Sequence, residues 1–316
     1  MNKKLLQTLD TALGRTKTTG VAPITIDALQ QRLTEELDWL DACPGRECLV
    51  VLLQELAAAM CRARIVVNPG YSYLPDSFLL YLTHVTRVNP VEWDLPFSRF
   101  TKSVHDGAEI PFEAGSGCLE VARKVLSNRE NELVIETEPG LFEITFLDGT
   151  ELQNVKLRIT TYAALDQFSR TLKDGWHPLV APSLSLFSRG ATDGVIFFDS
   201  DKMREMLFDF DPESFSDLVL LNAIFWPGRI KLFEKILEAK KSPDTMVTYE
   251  NAEINHALRD SYGIPVYQEQ ALLLSDSPDA PEFPPFQDLA PKGHFIGRTM
   301  LAVETMWSWR NTKKLK

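Results

Sequence analysis

The hydrophobic period of this chain changes twice along its length, from helical to alternating and back to helical. The fold expected is α+β, with strands in the centre and helices on either side of them along the chain. From Asp27 onward Leu29, Leu33, Leu37 and Leu40 fall on one face of a helix with Asp27 as its cap. After Pro44-Gly45 the run LVVLLQELAAAMCRA is apolar nearly all round, which predicts a buried second helix. Arg64 to Val67 reads as a short strand, and Ser77 to about Val88 as a helix. In the centre Leu133–Glu138, Leu141–Leu147 and Leu152–Thr160 alternate apolar and polar residues, separated by Pro-Gly and Asp-Gly. This predicts an antiparallel meander of three strands. A helix from about Ala163 to Asp174 closes the lobe, and the Pro-containing DGWHPLVAPS marks its boundary. Beyond it the pattern is helical over roughly 200–209, 213–225, 229–241, 250–258, 265–275 and 297–310, with the Pro-rich SPDAPEFPPF before the last helix. The expected organisation is an arm over 1–26 and two lobes, 27–177 and 178–316.

With 44 acidic against 33 basic residues the chain carries a net charge of −11. Phosphate binding is driven by Lys and Arg through counterion release, so the average surface here repels nucleic acid. The C-terminal WSWRNTKKLK is a local basic exception, and Trp307 and Trp309 could stack on a single strand or pack in the core. No apolar run approaches the ~20 residues of a membrane helix, and the N-terminus is too interrupted for a secretory signal. The expectation is a cytoplasmic protein with no membrane partner. Cys43, Cys48, Cys61 and Cys118 show no C-x-x-C spacing and no His partners, so neither a disulfide framework nor a zinc site is expected.

Two segments carry a more specific message. Arg189–Gly228 reads RGATDGVIFFDSDKMREMLFDFDPESFSDLVLLNAIFWPG, and Arg259–Gln270 reads RDSYGIPVYQEQ. Both resemble the fingers of the bacterial C-family replicative DNA polymerases, the DNA polymerase III alpha subunit. QRLTEELDWL and the stretch from NPGYSYLPDS to FSRF resemble the start of that family's palm, and KGHFIGRTMLAVETMWSW resembles a further fingers segment, in the family's order. The resemblance implies a reduced nucleotidyltransferase palm of the polymerase-beta type over 27–177, its thumb largely deleted, then a mostly helical fingers-like lobe over 178–316.

That family holds two metal ions on carboxylates that clamp the attacking and leaving oxygens. On the matching positions of this chain Phe112 and Ala114 stand in place of two acids, and Arg158 in place of the third. A guanidinium there repels Mg²⁺. The family's glycine-rich phosphate turn matches Asn68-Pro69-Gly70-Tyr71-Ser72-Tyr73-Leu74-Pro75-Asp76-Ser77, where bulky residues replace glycines. Trp226-Pro227-Gly228 replaces an arginine, while Tyr267-Gln268-Glu269-Gln270 is retained. The resemblance therefore implies a non-catalytic relative that binds a replication or repair protein, or a primer–template or single-stranded DNA, with no cofactor. Lys292, His294 and Arg298 are its candidate nucleotide or DNA contacts, although YQEQ and its surroundings also admit an architectural reading.

The alternative is a residual polymerase using Mg²⁺ on relocated acids. If Pro139-Gly140 is a two-residue turn, Glu136 pairs with Glu143 and Glu138 shares their face, a candidate hard-cation site or else a solvated sheet face. Glu109 and Glu113 flank the altered strand at a spacing expected to share no strand face. Ser116 lacks a G-x-S-x-G setting and is expected to cap a helix.

Overall fold

The structure, a computed structural model, describes residues 25–129, 132–146, 154–168, 180–226, 228–242, 244 and 246–314, with side chains at all of these except 44, 180–183 and 307–314. The expected arm, apart from Thr25 and Ile26, and the side chains of Trp307 and Trp309 lie outside the described residues. The chain divides into two compact units, Met1–Trp176 and His177–Lys316. No helix among the described residues is long and apolar enough to cross a membrane.

The first unit opens with α1 (Ile26–Asp41) and α2 (Pro44–Arg62). The cap of α1 is Thr25, whose Oγ1 accepts the Ala28 N–H at 3.1 Å, and Asp27 sits inside the first turn. Leu29 and Leu40 are buried with Leu33 and Leu37 packed beside them, as the i, i+4 spacing requires. Leu49, Leu52, Leu53 and Leu56 of α2 have no exposure, each worth about 1.5–3 kcal/mol of burial. The expected strand at 64–67 does not form. Arg64 takes a left-handed φ of 60°, and only Val67 bridges to Ala114. The expected helix from Ser77 is cut to α3 (Phe78–Leu82), because His84 turns left-handed at φ 63°. Helix α4 (Phe97–His105) follows.

The sheet has four strands and is mixed, not three and antiparallel. β1 (Ile110–Ala114), β2 (Glu132–Glu138), β3 (Leu141–Phe146) and β4 (Asn154–Thr161) lie in the order β1-β4-β3-β2. The β2–β3 and β3–β4 pairs are antiparallel. The additional strand β1 is parallel to β4, with Ile110 opposite Leu157 and Pro111 opposite Arg158. Pro111 is tolerated because β1 is an edge strand. Gly140 makes the β2–β3 turn at φ 82°, where a Cβ would lie 2.6 Å from the Ile159 carbonyl oxygen. Helix α5 (Cys118–Leu126) covers one face of the sheet, and that face, α2 and α5 share one core that includes Phe78, Phe100, Phe112, Cys118 and Leu157. Ser116 does not cap α5 with its side chain. Its N–H donates to Asp166 Oδ1 at 2.7 Å, and the N-cap is Gly117. The expected helix from Ala163 appears as a 3-10 turn, Ala163–Phe168, and 169–174 lie outside the described residues.

The second unit is helical: α6 (Val180–Ser188), α7 (Asp201–Phe210), α8 (Phe215–Ile224), α9 (Phe233–Lys241), α10 (Ala252–Ala257), α11 (Gln268–Leu273) and α12 (Lys292–Lys314). Ser200, Ser214 and Asn251 cap α7, α8 and α10 with their side chains. From Leu218 to Ile224 every residue of α8 is buried, and Asn222 Nδ2 donates to Thr299 Oγ1 of α12 at 3.3 Å. Helix α12 starts five residues earlier than its apolar period suggests, since Glu269 caps its first turn.

Candidate functional site

Phe112, Ala114 and Arg158, expected at the family's acid positions, lie on the sheet of the first unit, and strand alternation decides what they can do. Ile110, Phe112 and Ala114 point into the core, Phe112 at 1% exposure and Ala114 at none. On β4 the buried residues are Val155, Leu157 and Ile159, so Arg158 faces the opposite, outer side. Its guanidinium donates to Glu109 at 2.9 and 3.0 Å and to Glu138 Oε2 at 3.4 and 3.5 Å. The pairing with Glu109 and Glu138 holds the Arg158 guanidinium above its ordinary range, and Arg158 in turn holds the Glu109 carboxyl below its own. Phe112 and Ala114 thus diverge from Arg158, and the residues present do not fit a pair of metal ions.

The carboxylate trio does not assemble. A bulge between Glu136 and Glu138 shifts the register, so that Glu136 lies opposite Phe142 and Glu143 opposite Ile135 and Lys156. Glu136 turns to α5, where Arg123 grips it bidentately at 2.8 and 2.8 Å, and the Gly140 N–H adds a third donor. Arg123 and then Gly140 hold its carboxyl down at about 2. Glu138 turns to Arg158 instead. Glu109, just before β1, pairs with Arg158, whereas Glu113 lies within the strand. Glu113 accepts from Asn68 Nδ2 at 2.6 Å. Among the described residues no group of three His, Cys, Asp or Glu side chains is placed to hold a metal ion.

The turn expected to match the family's phosphate loop holds an anion of this chain's own. The Phe78 and Leu79 N–H groups donate to the Glu36 carboxylate at 2.7 and 2.9 Å, and Ser77 Oγ does so at 2.8 Å. Arg32 Nε completes the set at 2.7 Å. Burial pushes the Glu36 carboxyl up, opposed by Arg32 and by those N–H donors. Beside it Asp76 and Arg99 form a buried ion pair at 3.1 Å, and the Tyr73 hydroxyl donates to the Glu109 carbonyl at 3.0 Å. Tyr73, Leu74 and Pro75 are buried and fill the space that glycines would leave open.

In the second unit YQEQ has structural work. Gln270 Oε1 accepts the Val266 and Tyr267 N–H groups at 2.9 and 2.9 Å, and its Nε2 donates to Ser261 Oγ at 2.7 Å. Glu269, 1% exposed, accepts the Lys292 and Gly293 N–H groups at the start of α12. The three candidate contacts do not converge. Lys292 is buried, with Nζ 2.9 Å from Asp260, and it holds that carboxyl down against its burial. His294 and Arg298, four apart, share another face of α12. Arg298 stacks on Phe197 at 3.9 Å, with Trp226 at 5.4 Å and Phe295 at 5.5 Å. Arg229 Cζ stands 5.7 Å from the Phe295 ring. Periodicity alone missed the Phe197–Arg298–Trp226 stack, since its members come from three separate elements. The only local signal was Trp226, expected at the family's arginine position.

Residues 181–277 match the family model of the bacterial DNA polymerase III alpha subunit finger domain. The chain is 30% identical over 167 residues to the DNA polymerase III subunit alpha of Halalkalibacterium halodurans, which covers 52% of this chain and 14% of that protein. It is 35% identical over 150 residues to the subunit of Aquifex aeolicus, covering 46% and 12%, and 32% identical over 90 residues to that of Borreliella burgdorferi, covering 28% and 8%. The matches thus span no more than 14% of these relatives' own length. Matched finger residues, an α+β architecture and alpha-subunit likeness over about half its length make this chain a relative of the bacterial DNA polymerase III alpha subunit.

Proposed function

We propose that this chain is a non-catalytic relative of the polymerase alpha subunit and acts by binding in replication or repair, in the cytoplasm. The observation that carries this reading is the divergence of the three acid positions. Phe112 and Ala114 lie in the core, while Arg158 stands on the outer face between two glutamates. Two-metal catalysis needs carboxylates converging on one point, and a cation at that point opposes both ions. The self-satisfied turn at Ser77–Leu79 supports the same reading, because its N–H donors are already bound to Glu36. The net charge of −11 favours a protein partner over naked DNA.

Primer extension with Mg²⁺ or Mn²⁺ tests the reading. The expected result is no template-dependent incorporation. Incorporation above that of a Glu136→Gln/Glu143→Gln double variant overturns it in favour of a residual polymerase with relocated acids. Binding to primed and single-stranded DNA across a salt series then separates the partners, since phosphate contacts require a steep salt slope and a protein partner does not.

A further inference from the structure

Around the turn after α8 the second unit brings apolar and cationic side chains together at its surface. Trp226 and Ile230 are 43% and 37% exposed, and the Arg229 N–H closes the turn on the Trp226 carbonyl at 3.1 Å. Arg229 Nε donates to the Asp288 carbonyl at 3.0 Å, which fastens the Phe286–Asp288 turn beside it, with Phe286 45% exposed. From α12, Arg298 reaches the same place, its guanidinium 5.4 Å from the Trp226 ring and 3.9 Å from the Phe197 ring. Phe197 takes up that position at φ 68°, where bulky side chains are outliers. Strain of this kind persists only where the surroundings impose it, and it gathers at binding and switch sites. Apolar residues exposed singly need no explanation, whereas a group of them rimmed by charge marks an interaction surface.

We propose that this surface docks a short acidic segment of a partner protein, one that carries an aromatic or large aliphatic side chain. The apolar side chain packs on Trp226, Ile230 and Phe286, and the carboxylates flanking it meet Lys231 and Arg298. The proposal rests on the binding role given above, and adds where the partner sits and what chemistry it presents.

Charge is the reason for an acidic partner. From Trp226 to Lys241 the sequence has five basic residues and two acidic ones, in a chain whose net charge is −11. Lys231 is exposed, and Asp288 is the acid that acts on Arg229. Trp and Arg are also the residue types that carry most binding energy at protein interfaces, and a guanidinium stacked on rings has little order left to lose. A single strand of nucleic acid suits the surface less well. Such a strand needs a basic groove that follows its backbone over several nucleotides, and beyond this patch the acidic average surface opposes it. Ile230, moreover, offers a base no ring to stack on.

Fluorescence anisotropy of the full chain with a labelled peptide of Asp and Glu around one central Phe tests the proposal. Saturable binding is expected, and its loss when the Phe of the peptide is replaced by Ser. Trp226→Ala is expected to weaken binding about 10-fold or more. Ile230→Ser and Lys231→Glu, at two further exposed positions, are expected to weaken it with an unchanged circular dichroism spectrum and melting temperature. Lys124→Glu, the same charge change on an exposed residue of the first unit, is expected to leave the affinity as it was. Absence of saturable binding, equal affinity for the Phe-free peptide, indifference to both Trp226→Ala and Ile230→Ser, or equal weakening by Lys124→Glu and Lys231→Glu overturns the proposal. So does tighter binding of an oligothymidylate that Trp226→Ala abolishes. Any of these removes the surface and leaves the primer-extension result standing, whereas incorporation in that assay removes the non-catalytic reading and not the affinity for the peptide.

Discussion

Returning an acid to position 112 tests the strand alternation on which the functional reading rests. Phe112 is 1% exposed in the main core. Truncating a buried Phe costs about 3–5 kcal/mol. An aspartate there has no partner, so its carboxyl stays protonated in the folded state and ionises near pH 3.9 in the unfolded one. At pH 7 that difference adds about 1.4 kcal/mol per pH unit over roughly three units, or about 4 kcal/mol. The sum, about 7–9 kcal/mol, is comparable with the ~5–15 kcal/mol that holds an ordinary domain folded. Phe112→Asp is therefore expected to be largely unfolded at neutral pH, whereas Phe112→Leu loses only about 1–2 kcal/mol. The pH dependence has a definite sign. The folded-state pKa is raised, so the native state binds a proton that the unfolded state releases, and the deficit shrinks as pH falls from 7 towards 4. Urea denaturation followed by circular dichroism at pH 7 and pH 5 measures this, with the leucine variant as reference. If Phe112→Asp stays within ~1 kcal/mol of Phe112→Leu at both pH values, residue 112 reaches solvent on the outer face. The divergence of the acid positions would then be lost, and the non-catalytic reading with it.

Arg99→Met removes the guanidinium paired with the Asp76 carboxylate, which has no exposure, and is expected to cost about 3–5 kcal/mol, with part of the loss recovered in Arg99→Met/Asp76→Leu. A single-variant cost below ~1 kcal/mol by urea denaturation would show that the pair is not desolvated. The Glu136 carboxyl is held down to about 2, so its contribution is present above the ordinary value of 4.5 and lost as pH falls from 4.5 towards 2. Glu136→Gln is expected to flatten the acid limb of the stability curve in that window, and added salt to do so in part; parallel curves would count against the Arg123 pair. Glu269→Ala frees the Lys292 and Gly293 N–H groups at the start of α12, for an expected loss of about 1–3 kcal/mol and weaker amide-exchange protection in the first turn. Unchanged protection there would remove Glu269 as the cap.

Much of the fold was legible because it is written in local period. The stripe from Leu29 to Leu40, the all-round apolar α2 and the alternation in β3 and β4 each follow from the neighbours that one turn or one pleat brings together. What the period does not carry is pairing at a distance. β1 holds five residues with a proline at the second, too short to register as a strand, yet it completes the sheet by lying parallel to β4. Glu36 reads as one more polar residue on α1, and only the fold delivers it to the N–H groups of Phe78 and Leu79, 42 and 43 residues later. The candidate metal trio failed for a smaller reason still. It required a regular two-residue hairpin, and one bulged residue, Thr137, broke that regularity. Glu136 then fell to Arg123 on one side of the sheet and Glu138 to Arg158 on the other. A step of one residue lies below anything hydrophobic periodicity resolves, yet in a strand it decides which face a charge occupies. The same arithmetic fixes Phe112 and Ala114 inward and Arg158 outward. Under the non-catalytic reading proposed above, loss of the acids and loss of their convergence are separate steps: of carboxylates introduced at 112, 114 and 158, two would lie in the core rather than around a metal ion.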